Sequence, residues 1–550
     1  MLSTHKPLVI SFIVISFSIG ICSNLCAQSW TPVIGKSLRY CNPLSIETSS
    51  QNGSAQGVSL GDVTVVEDNG KYYMFCTGGG AWVSEDLVNW KYNPVQGARV
   101  PTAPGVFKYN GYFYMSGNSA PLYRSENILG PYEQVGDWKM KDGKPWTGTS
   151  ANGRTWDGAF DVDFFADDGK PYLYYPGRGI DGIFGVQLDS QDLSKFAGEP
   201  KLLFSFDKSH IWERYGEFNE YTEVTWMEGP WIIKHNDRYY LQYSASGTQW
   251  LSYATGVYTS KSPLGPFTYA PNNPILRKTT GVVTGAAHGC AVKGPDGNWW
   301  EFYTIVLASP PGGRRIGMDP VGFDKDGNMF VKGPTETPQW APGVVKDPAK
   351  DGDSGSIPLT VNKLRAMNQQ GSFSSQRTGR DAAYAVDNSN GTWWEPAEDD
   401  QQPTLTIDLG PATEFDHQQL FTIDSCRIEF TTGGGGFGRG MGRGMGRGGF
   451  GVGNRRGTDT TRAAQQPQQS ENTTIAHRYK IEASTDGTNY KTVLDKTDNN
   501  VTKYVEFDEI PPTSCRFVRV TMTDWPRTGN SNLGIMEFTV FGKPIEVEKP

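Results

Sequence analysis

Asp161-Val-Asp-Phe-Phe-Ala-Asp167-Asp168-Gly169-Lys170-Pro-Tyr-Leu-Tyr-Tyr175 contains a β-rich run, a turn and a second aromatic-rich run. Asp-Gly between such runs predicts a hairpin, because glycine accepts the positive φ of a tight turn. The same arrangement occurs four more times. Asp62-Val-Thr-Val-Val-Glu67 returns through Asn69-Gly70 as Lys71-Tyr-Tyr-Met-Phe-Cys76, and Gly105-Val-Phe-Lys-Tyr109 returns through Asn110-Gly111 as Tyr112-Phe-Tyr-Met115. Glu228-Gly-Pro-Trp-Ile-Ile-Lys234 returns through Asn236-Asp237 as Arg238-Tyr-Tyr-Leu-Gln242, and His288-Gly-Cys-Ala-Val-Lys293 returns through Asp296-Gly297 as Asn298-Trp-Trp-Glu-Phe-Tyr303. A period of roughly 40–70 residues is that of propellers and related arrays. Five copies predict a five-bladed propeller of four-stranded blades.

In a propeller the innermost strands run along the axis, so equivalent positions form a ring at one end of the channel. Here that ring is Asp62, Gly105, Asp161, Glu228 and His288. Carboxylates brought together repel, and burial raises the pKa of at least one. A protonated carboxyl beside an ionised one is the acid/base pair that glycoside hydrolysis uses. A single Asp at a strand start has a simpler reading, a ligand for channel water or a cation; three at repeat-equivalent positions point to catalysis.

These segments resemble glycoside hydrolase family 43 over most of residues 30–345. The carriers are Asp62-Val-Thr-Val-Val66, Phe160 through Leu173, Met227-Glu228-Gly-Pro-Trp-Ile-Ile-Lys234, and His288-Gly289 with Asp296-Gly-Asn-Trp-Trp300. The resemblance implies a five-bladed propeller that hydrolyses with inversion, mostly on arabinofuranosides, xylosides and some galactans. It implies Asp62 as general base, Glu228 as general acid and Asp161 as the group that tunes and orients the acid. It places His288 at the channel floor. Val63 and Val162 stand where the family usually has proline, and Ala103-Pro104 leads to Gly105 where an acid is common. These departures bear on the sugar rather than on the reaction. Trp82, Trp156, Trp226 and Trp250 lie near blade junctions as candidates for stacking on sugar, with core packing the competing role. Arg178 and the Arg314-Arg315 pair, Arg315 in particular, are candidate donors to sugar hydroxyls. Asp163 is a substitute for Asp161 one pleat further along.

Beyond a polar linker at 346–359, a second β pattern predicts a β-sandwich over 360–545. Asp387-Asn-Ser-Asn-Gly-Thr-Trp-Trp394, Ile407-Asp-Leu-Gly410 and Glu537-Phe-Thr-Val-Phe-Gly542 resemble the discoidin (F5/8 type C) domain. That resemblance implies loops that bind carbohydrate, with Asp387, Asn390, Trp393 and Trp394 as candidates, and a structural calcium nearby. A purely structural sandwich is the competing reading. The Gly/Arg-rich insertion at 433–470 lacks the apolar content to fold and is expected to be disordered.

The remaining composition narrows the class. A net charge of −8 with 20% charged residues offers no electrostatic reason for a nucleic-acid partner. The apolar run Leu8 to Ile21 after Lys6 predicts a signal peptide over 1–27, with a lipid on Cys26 as the alternative. The run is too short for a transmembrane segment. Export to the periplasm, the cell surface or the medium follows, with residues 28–345 as the catalytic propeller. The scattered histidines give no metal-ligating pattern, and the chemistry needs no cofactor. Cys426 and Cys515 are a candidate disulfide. The expected partner is a polysaccharide or oligosaccharide substrate, whose sugar and linkage, like the oligomeric state, the sequence leaves open. The alternatives are a non-catalytic surface glycan-binding protein and a related propeller glycosidase acting on another sugar.

Overall fold

The structure is a computed structural model that describes residues 35, 37–51, 54–56, 59–149, 155–157, 159–177, 181–308, 313–363, 372–410, 419–431, 476–526 and 533–546. The expected signal peptide, most of the linker's C-terminal neighbour at 364–371, and the 433–470 insertion lie outside them. Among the described residues no helix is long and apolar enough to cross a membrane.

The fold is a five-bladed β-propeller followed by a β-sandwich. Blade 1 pairs Gly61–Asp68, Lys71–Thr77, Ala81–Ser84 and Lys91–Asn93 in order, and blade 2 pairs Gly105–Tyr109, Tyr112–Ser116, Leu122–Ser125 and Glu133–Gly136. Blade 3 is Asp163–Asp167, Lys170–Gly177, Gly182–Gln187 and Lys201–Phe204. Blade 4 is Glu228–His235, Arg238–Ala245, Ala254–Ser260 and Thr268–Tyr269, and blade 5 is Ala287–Lys293, Trp299–Val306, Arg314–Phe323 and Met329–Val331. All neighbours within a blade are antiparallel.

The first hairpin of each blade turns as its residues dictate. Asn69-Gly70, Asn110-Gly111, Asp168-Gly169 and Asn236-Asp237 all have positive φ at both positions, the signature of a type I′ turn. Blade 4 manages this without glycine because Asn and Asp enter the left-handed region more readily than other side chains. Between adjacent blades lie separate apolar layers. Phe75, Val106 and Met115 fill the first junction, Trp138, Phe164 and Leu173 the second, and Tyr174, Leu241 and Tyr243 the third. Tyr240, Tyr303 and Ile305 fill the fourth, and Met74, Trp82, Trp300 and Phe302 close blade 5 onto blade 1. Arg39–Tyr40 pairs with Gln339–Trp340 and ties the two ends of the propeller together.

The sandwich sets Ile357–Pro358, Ile535–Pro544, Phe421–Phe430 and Val505–Cys515 against Thr404–Asp408, Phe517–Asp524, Arg478–Ser484 and Lys491–Asp495. Its core includes Trp394, Ile407, Ile428, Tyr479, Val518 and Phe538. Cys426 and Cys515 are both free thiols, so the candidate disulfide does not form. Phe421 faces Cys515 across the sheet while Cys426 faces Asp508. Five residues of strand separate the two thiols, about 16 Å, far beyond disulfide reach.

The sandwich is seated on the propeller through buried polar contacts. Arg427, fully buried, donates to the carbonyls of Asn42 and Glu336, and its Nε lies 3.2 Å from Glu429 Oε1. Arg39 bridges to Asp424 at 2.9 Å and Glu509 at 3.1 Å.

Candidate active site

All five inner strands begin at or close to a residue in the left-handed region. φ is 51° at Asp62, 46° at Ala103, 42° at Asp161 and 46° at His288, and in blade 4 the value is 57° at Gly229, directly after Glu228. Left-handed backbone at residues other than glycine costs on the order of 1–3 kcal/mol and persists only where its surroundings hold it. The hold is visible here. The Asp62 N–H donates to Thr304 Oγ1 at 2.8 Å, Ala103 to Thr77 Oγ1 at 2.7 Å, Asp161 to Asn118 Oδ1 at 2.6 Å and His288 to Ser244 Oγ at 2.7 Å. Each acceptor sits within two residues of the end of the second strand in the preceding blade. Thr304 also donates to the His288 carbonyl at 3.0 Å, so one hydroxyl joins two positions of the ring.

This pattern corrects the ring in blade 2. The equivalent of Asp62 is Ala103, not Gly105. Gly105 instead opens the inner strand where a Cβ would lie 2.3 Å from the Val162 carbonyl oxygen, so it serves close packing of blades 2 and 3. Gly229 has a similar steric role, since a Cβ there would meet the His288 ring at 2.7 Å.

The ring's side chains converge. Ligating atoms of Asp161, Glu228 and His288 lie within 4.8 Å of one another, and His288 Nδ1 is 3.3 Å from Asp62 Oδ1. Arg314, on the third strand of blade 5, forks onto Asp62 with Nη1–Oδ1 at 2.8 Å and Nη2–Oδ2 at 3.0 Å. Glu228 accepts from the Tyr253 hydroxyl at 2.6 Å and from the Trp226 indole N–H at 2.5 Å.

These surroundings drive the carboxyls apart in acidity. Burial pushes Asp62 up, but the Arg314 charge, the His288 charge and the hydrogen bonds from Arg314 and Thr77 outweigh it and hold the group at about 2. Asp161 is raised, by burial first and then by the charges of Glu228 and Asp62. Burial likewise raises Glu228, with Asp62 adding to it, against the pull of His288 and of the Tyr253 and Trp226 hydrogen bonds. His288 is disfavoured as a cation by burial, yet the three carboxylates together raise its pKa. The site therefore holds one firmly ionised carboxylate facing two acids that favour their protons.

The other expected residues distribute unevenly. Trp226 reaches the cluster through Glu228. Trp82 is fully buried between blades, donating to the Glu47 carbonyl at 2.7 Å, so its faces are closed to sugar. Trp156 falls in the short strand Thr155–Asp157, and Arg178 lies outside the described residues. Asp163 turns away from the ring to accept the Ile232 N–H of blade 4 at 2.9 Å. Arg315 is buried against the sandwich, donating to the Phe430 carbonyl at 3.3 Å with its guanidinium 5.9 Å from the Tyr504 ring centroid. Its neighbour Arg314 is the arginine at the site. Strand alternation sends the two side chains to opposite faces, a distinction legible only once the strand's orientation is known. Tyr253 and the Thr/Ser/Asn clips were not singled out from sequence, and only their recurrence at strand ends marks them.

The expected sugar loop of the sandwich is also placed differently. Asn390 is buried against the propeller, donating to Thr284 Oγ1 at 2.7 Å and the Val282 carbonyl at 3.2 Å, and accepting from the Ala308 N–H at 3.1 Å. Trp394 lies in the sandwich core. Trp393 packs against the layer between blades 4 and 5, with the Arg380 guanidinium 3.5 Å from its ring centroid. Asp387 accepts the Thr392 hydroxyl with both oxygens, at 3.0 and 2.9 Å. The loop is held against the propeller through Asn390, which satisfies polar groups of Val282, Thr284 and Ala308.

Fold and site together define a channel-mouth acid propeller with a docked β-sandwich. Residues 57–329 match the profile described as Glycosyl hydrolases family 43, and residues 458–538 match the F5/8 type C domain. The chain carries a family 43 glycosyl hydrolase domain followed by an F5/8 type C domain. It is similar to "Xylan 1,3-beta-xylosidase" of Vibrio sp, 26% identical over 306 residues, covering 50% of this chain and 52% of that one. It is also similar to "Xylosidase/arabinosidase" of Bacteroides ovatus, 35% identical over 144 residues, covering 26% and 40% of the two chains. The chain spans about half the length of the curated relatives it matches. Among solved structures it resembles a thermostable family-43 glycoside hydrolase, at 28% identity and a TM-score of 0.44, covering 55% of this chain and 99% of that one.

Proposed function

We propose that this protein is an exported inverting glycoside hydrolase that removes arabinofuranosyl or xylosyl units, or galactan-derived sugars, from polysaccharides. The observation that carries this reading is the split between Asp62, clamped by Arg314 as a carboxylate, and Glu228, buried and raised. Asp62 takes a proton from the attacking water. The guanidinium fork uses one lone pair on each oxygen, and each carboxylate oxygen has another to offer. Glu228 gives its proton to the departing glycosidic oxygen, oriented by Tyr253 and Trp226. Asp161 and His288 adjust the charge that Glu228 meets: while the imidazole is cationic it stabilises the carboxylate left after proton transfer. Solvent then returns the proton to Glu228 and removes it from Asp62. The names of the relatives, which include xylosidases and arabinofuranosidases, support pentose substrates.

Carboxyls and water carry every step, so no cofactor enters. Among the described residues the sandwich offers no group of three or more candidate ligands for the structural calcium that its resemblance implies, and the one such group, Asp161 with Glu228 and His288, lies in the propeller channel. Two carboxylates and an imidazole fall short of the six to eight oxygens calcium takes, and both Glu228 oxygens already accept hydrogen bonds. The fit is poor, and no step runs through a metal.

The test is hydrolysis of α-L-arabinofuranosides, β-D-xylosides and β-D-galactosides, with the first-formed anomer followed by NMR. One sugar should be turned over with inversion, and Asp62→Asn should lower kcat by about a hundredfold or more. Retention of configuration, or full activity in Asp62→Asn, would sink the assignment.

A further inference from the structure

The hairpin that leads into Glu228 carries aromatic surface that folding does not require. Arg214–Tyr215 pairs with Tyr221–Thr225, and the chain between them turns at Gly216 to Glu220. Phe218 at the tip is 85% exposed, Tyr221 50% and Val224 47%. Single exposed apolar residues are ordinary on protein surfaces, but a cluster of this kind signals contact with something else.

The tip is also held rigidly. Asn219, only 3% exposed, donates to the carbonyls of Trp212 at 3.1 Å and Arg214 at 2.8 Å and accepts from Arg277 at 2.9 Å. Its φ of 56° fixes the turn, and the Phe218 N–H donates to Glu220 Oε2 at 3.0 Å. A buried asparagine therefore anchors the backbone while the adjacent phenyl is presented to water. Holding an aromatic in its bound position beforehand lowers the entropy lost on binding.

The hairpin is continuous with the proposed acid. Its carbonyl at Gly216 accepts from Ser252 Oγ at 2.7 Å, and Glu217 Oε2 accepts the Leu251 N–H at 3.1 Å. Ser252 and Leu251 adjoin Tyr253, whose hydroxyl donates to Glu228. Tyr215 stands edge-on to Trp250, with ring centroids 5.6 Å apart. On its other end the hairpin runs directly into Trp226, the second donor to Glu228. An acid that protonates the departing oxygen has the departing chain beside it. Whatever is bonded to that oxygen emerges next to Glu228, Trp226 and Tyr253, and this hairpin borders all three.

We propose that Phe218 and Tyr221 form a stacking platform for sugar units on the leaving-group side, so that the enzyme acts on glycosyl units attached to an oligomeric glycan chain. The assignment rests on Glu228 as the acid. Aromatic faces meet the C–H faces of sugar rings, and the interspersed Glu217, Glu220 and Glu223 offer acceptors to the hydroxyls of a neutral ligand.

The experiment measures xylohexaose and arabinohexaose binding by calorimetry in the Asp62→Asn protein, with and without Phe218→Ala or Tyr221→Ala, alongside the matching monosaccharides. Kinetics of the otherwise wild-type Phe218→Ala enzyme are compared on the hexasaccharides and on the corresponding glycosyl fluoride, whose leaving group is too small to reach the hairpin. Loss of one stacked ring should weaken hexasaccharide binding and kcat/KM by about three- to tenfold, leaving the monosaccharide and the fluoride unchanged. Equal hexasaccharide affinity in all proteins overturns the platform, and so does equal loss on both substrates. Activity on the fluoride with no effect of the hairpin variants on the hexasaccharides would overturn the platform while leaving the glycosidase reading intact. Absence of turnover with hairpin-dependent hexasaccharide binding would do the reverse. A change of oligomeric state on Phe218→Ala in sedimentation, without a change in glycan affinity, would assign the patch to self-association and overturn the proposal.

Discussion

Arg314 sets the charge state of Asp62, and the pH response of the enzyme follows from it. With the fork in place Asp62 sits at about 2 and stays ionised over the working range. Arg314→Gln removes the largest opposing charge, so the Asp62 pKa rises and the acidic limb of the kcat/KM profile moves to higher pH, which a pH-rate series reads directly. The folded state responds with opposite signs at the two kinds of acid. Asp62, depressed, contributes stability above the ordinary carboxylate range that is lost as pH falls toward 2. Asp161, raised by burial and neighbouring charge, works the other way: its folded form binds a proton that the unfolded chain releases, so stability declines as pH rises past the ordinary carboxylate range. Asp161→Asn should therefore raise Tm at pH 7 by a few degrees and flatten the decline of Tm with pH while lowering activity. Thermal scans between pH 4 and 8 check this, and a lower Tm for the variant at pH 7 would contradict the assigned shift.

At the scale of elements, the strand-start clips make the site a property of neighbouring blades. Thr304 accepts from Asp62 and donates to the His288 carbonyl, so Thr304→Val orphans a buried N–H and a buried carbonyl at once. The expected loss is about 1–3 kcal/mol of stability per orphaned group, with a fall in kcat as Asp62 loses its backbone support, measured by denaturant unfolding and steady-state kinetics. Five hairpins were readable because turn chemistry is local: Asn-Gly and Asp-Gly report their own backbone. The meeting of Asp62, Asp161, Glu228 and His288 was readable because the repeat places equivalent residues on equivalent strands. The clips were not, since Thr77, Asn118, Ser244 and Thr304 are residue types found anywhere in a β protein. Gly105 opens the β-rich run of blade 2 in the sequence, whereas the backbone counts from Ala103. Arg315 and Arg314 differ only in which face of one strand they occupy, and the Pro-Pro-Gly-Gly before them gives no alternation that would tell the faces apart.

Across the whole molecule, the sandwich completes the propeller's surface. Arg427 reaches from the sandwich to the carbonyls of Asn42 and Glu336, and Asn390 fills the gap beside Thr284 and Ala308. Arg427→Met leaves Glu429 buried without its partner and should destabilise the protein by about 3–5 kcal/mol. The same coupling predicts one calorimetric transition for the intact chain instead of two, and Arg427→Met is the variant expected to split it. Discoidin-type loops are readable as a motif, but whether they meet solvent or a neighbouring domain depends on docking, which no local pattern encodes. Residues Leu44, Ile46 and Leu60 of the propeller, with Tyr504 and Val505 of the sandwich, enclose a small cavity against Arg314 and Arg315. The back wall of the arginine that grips Asp62 is thus built partly from the other domain. For anyone recombining such domains, the natural unit of exchange is the pair: a propeller given a foreign appendage after residue 345 would keep the arginine that grips Asp62 with one of its supports missing.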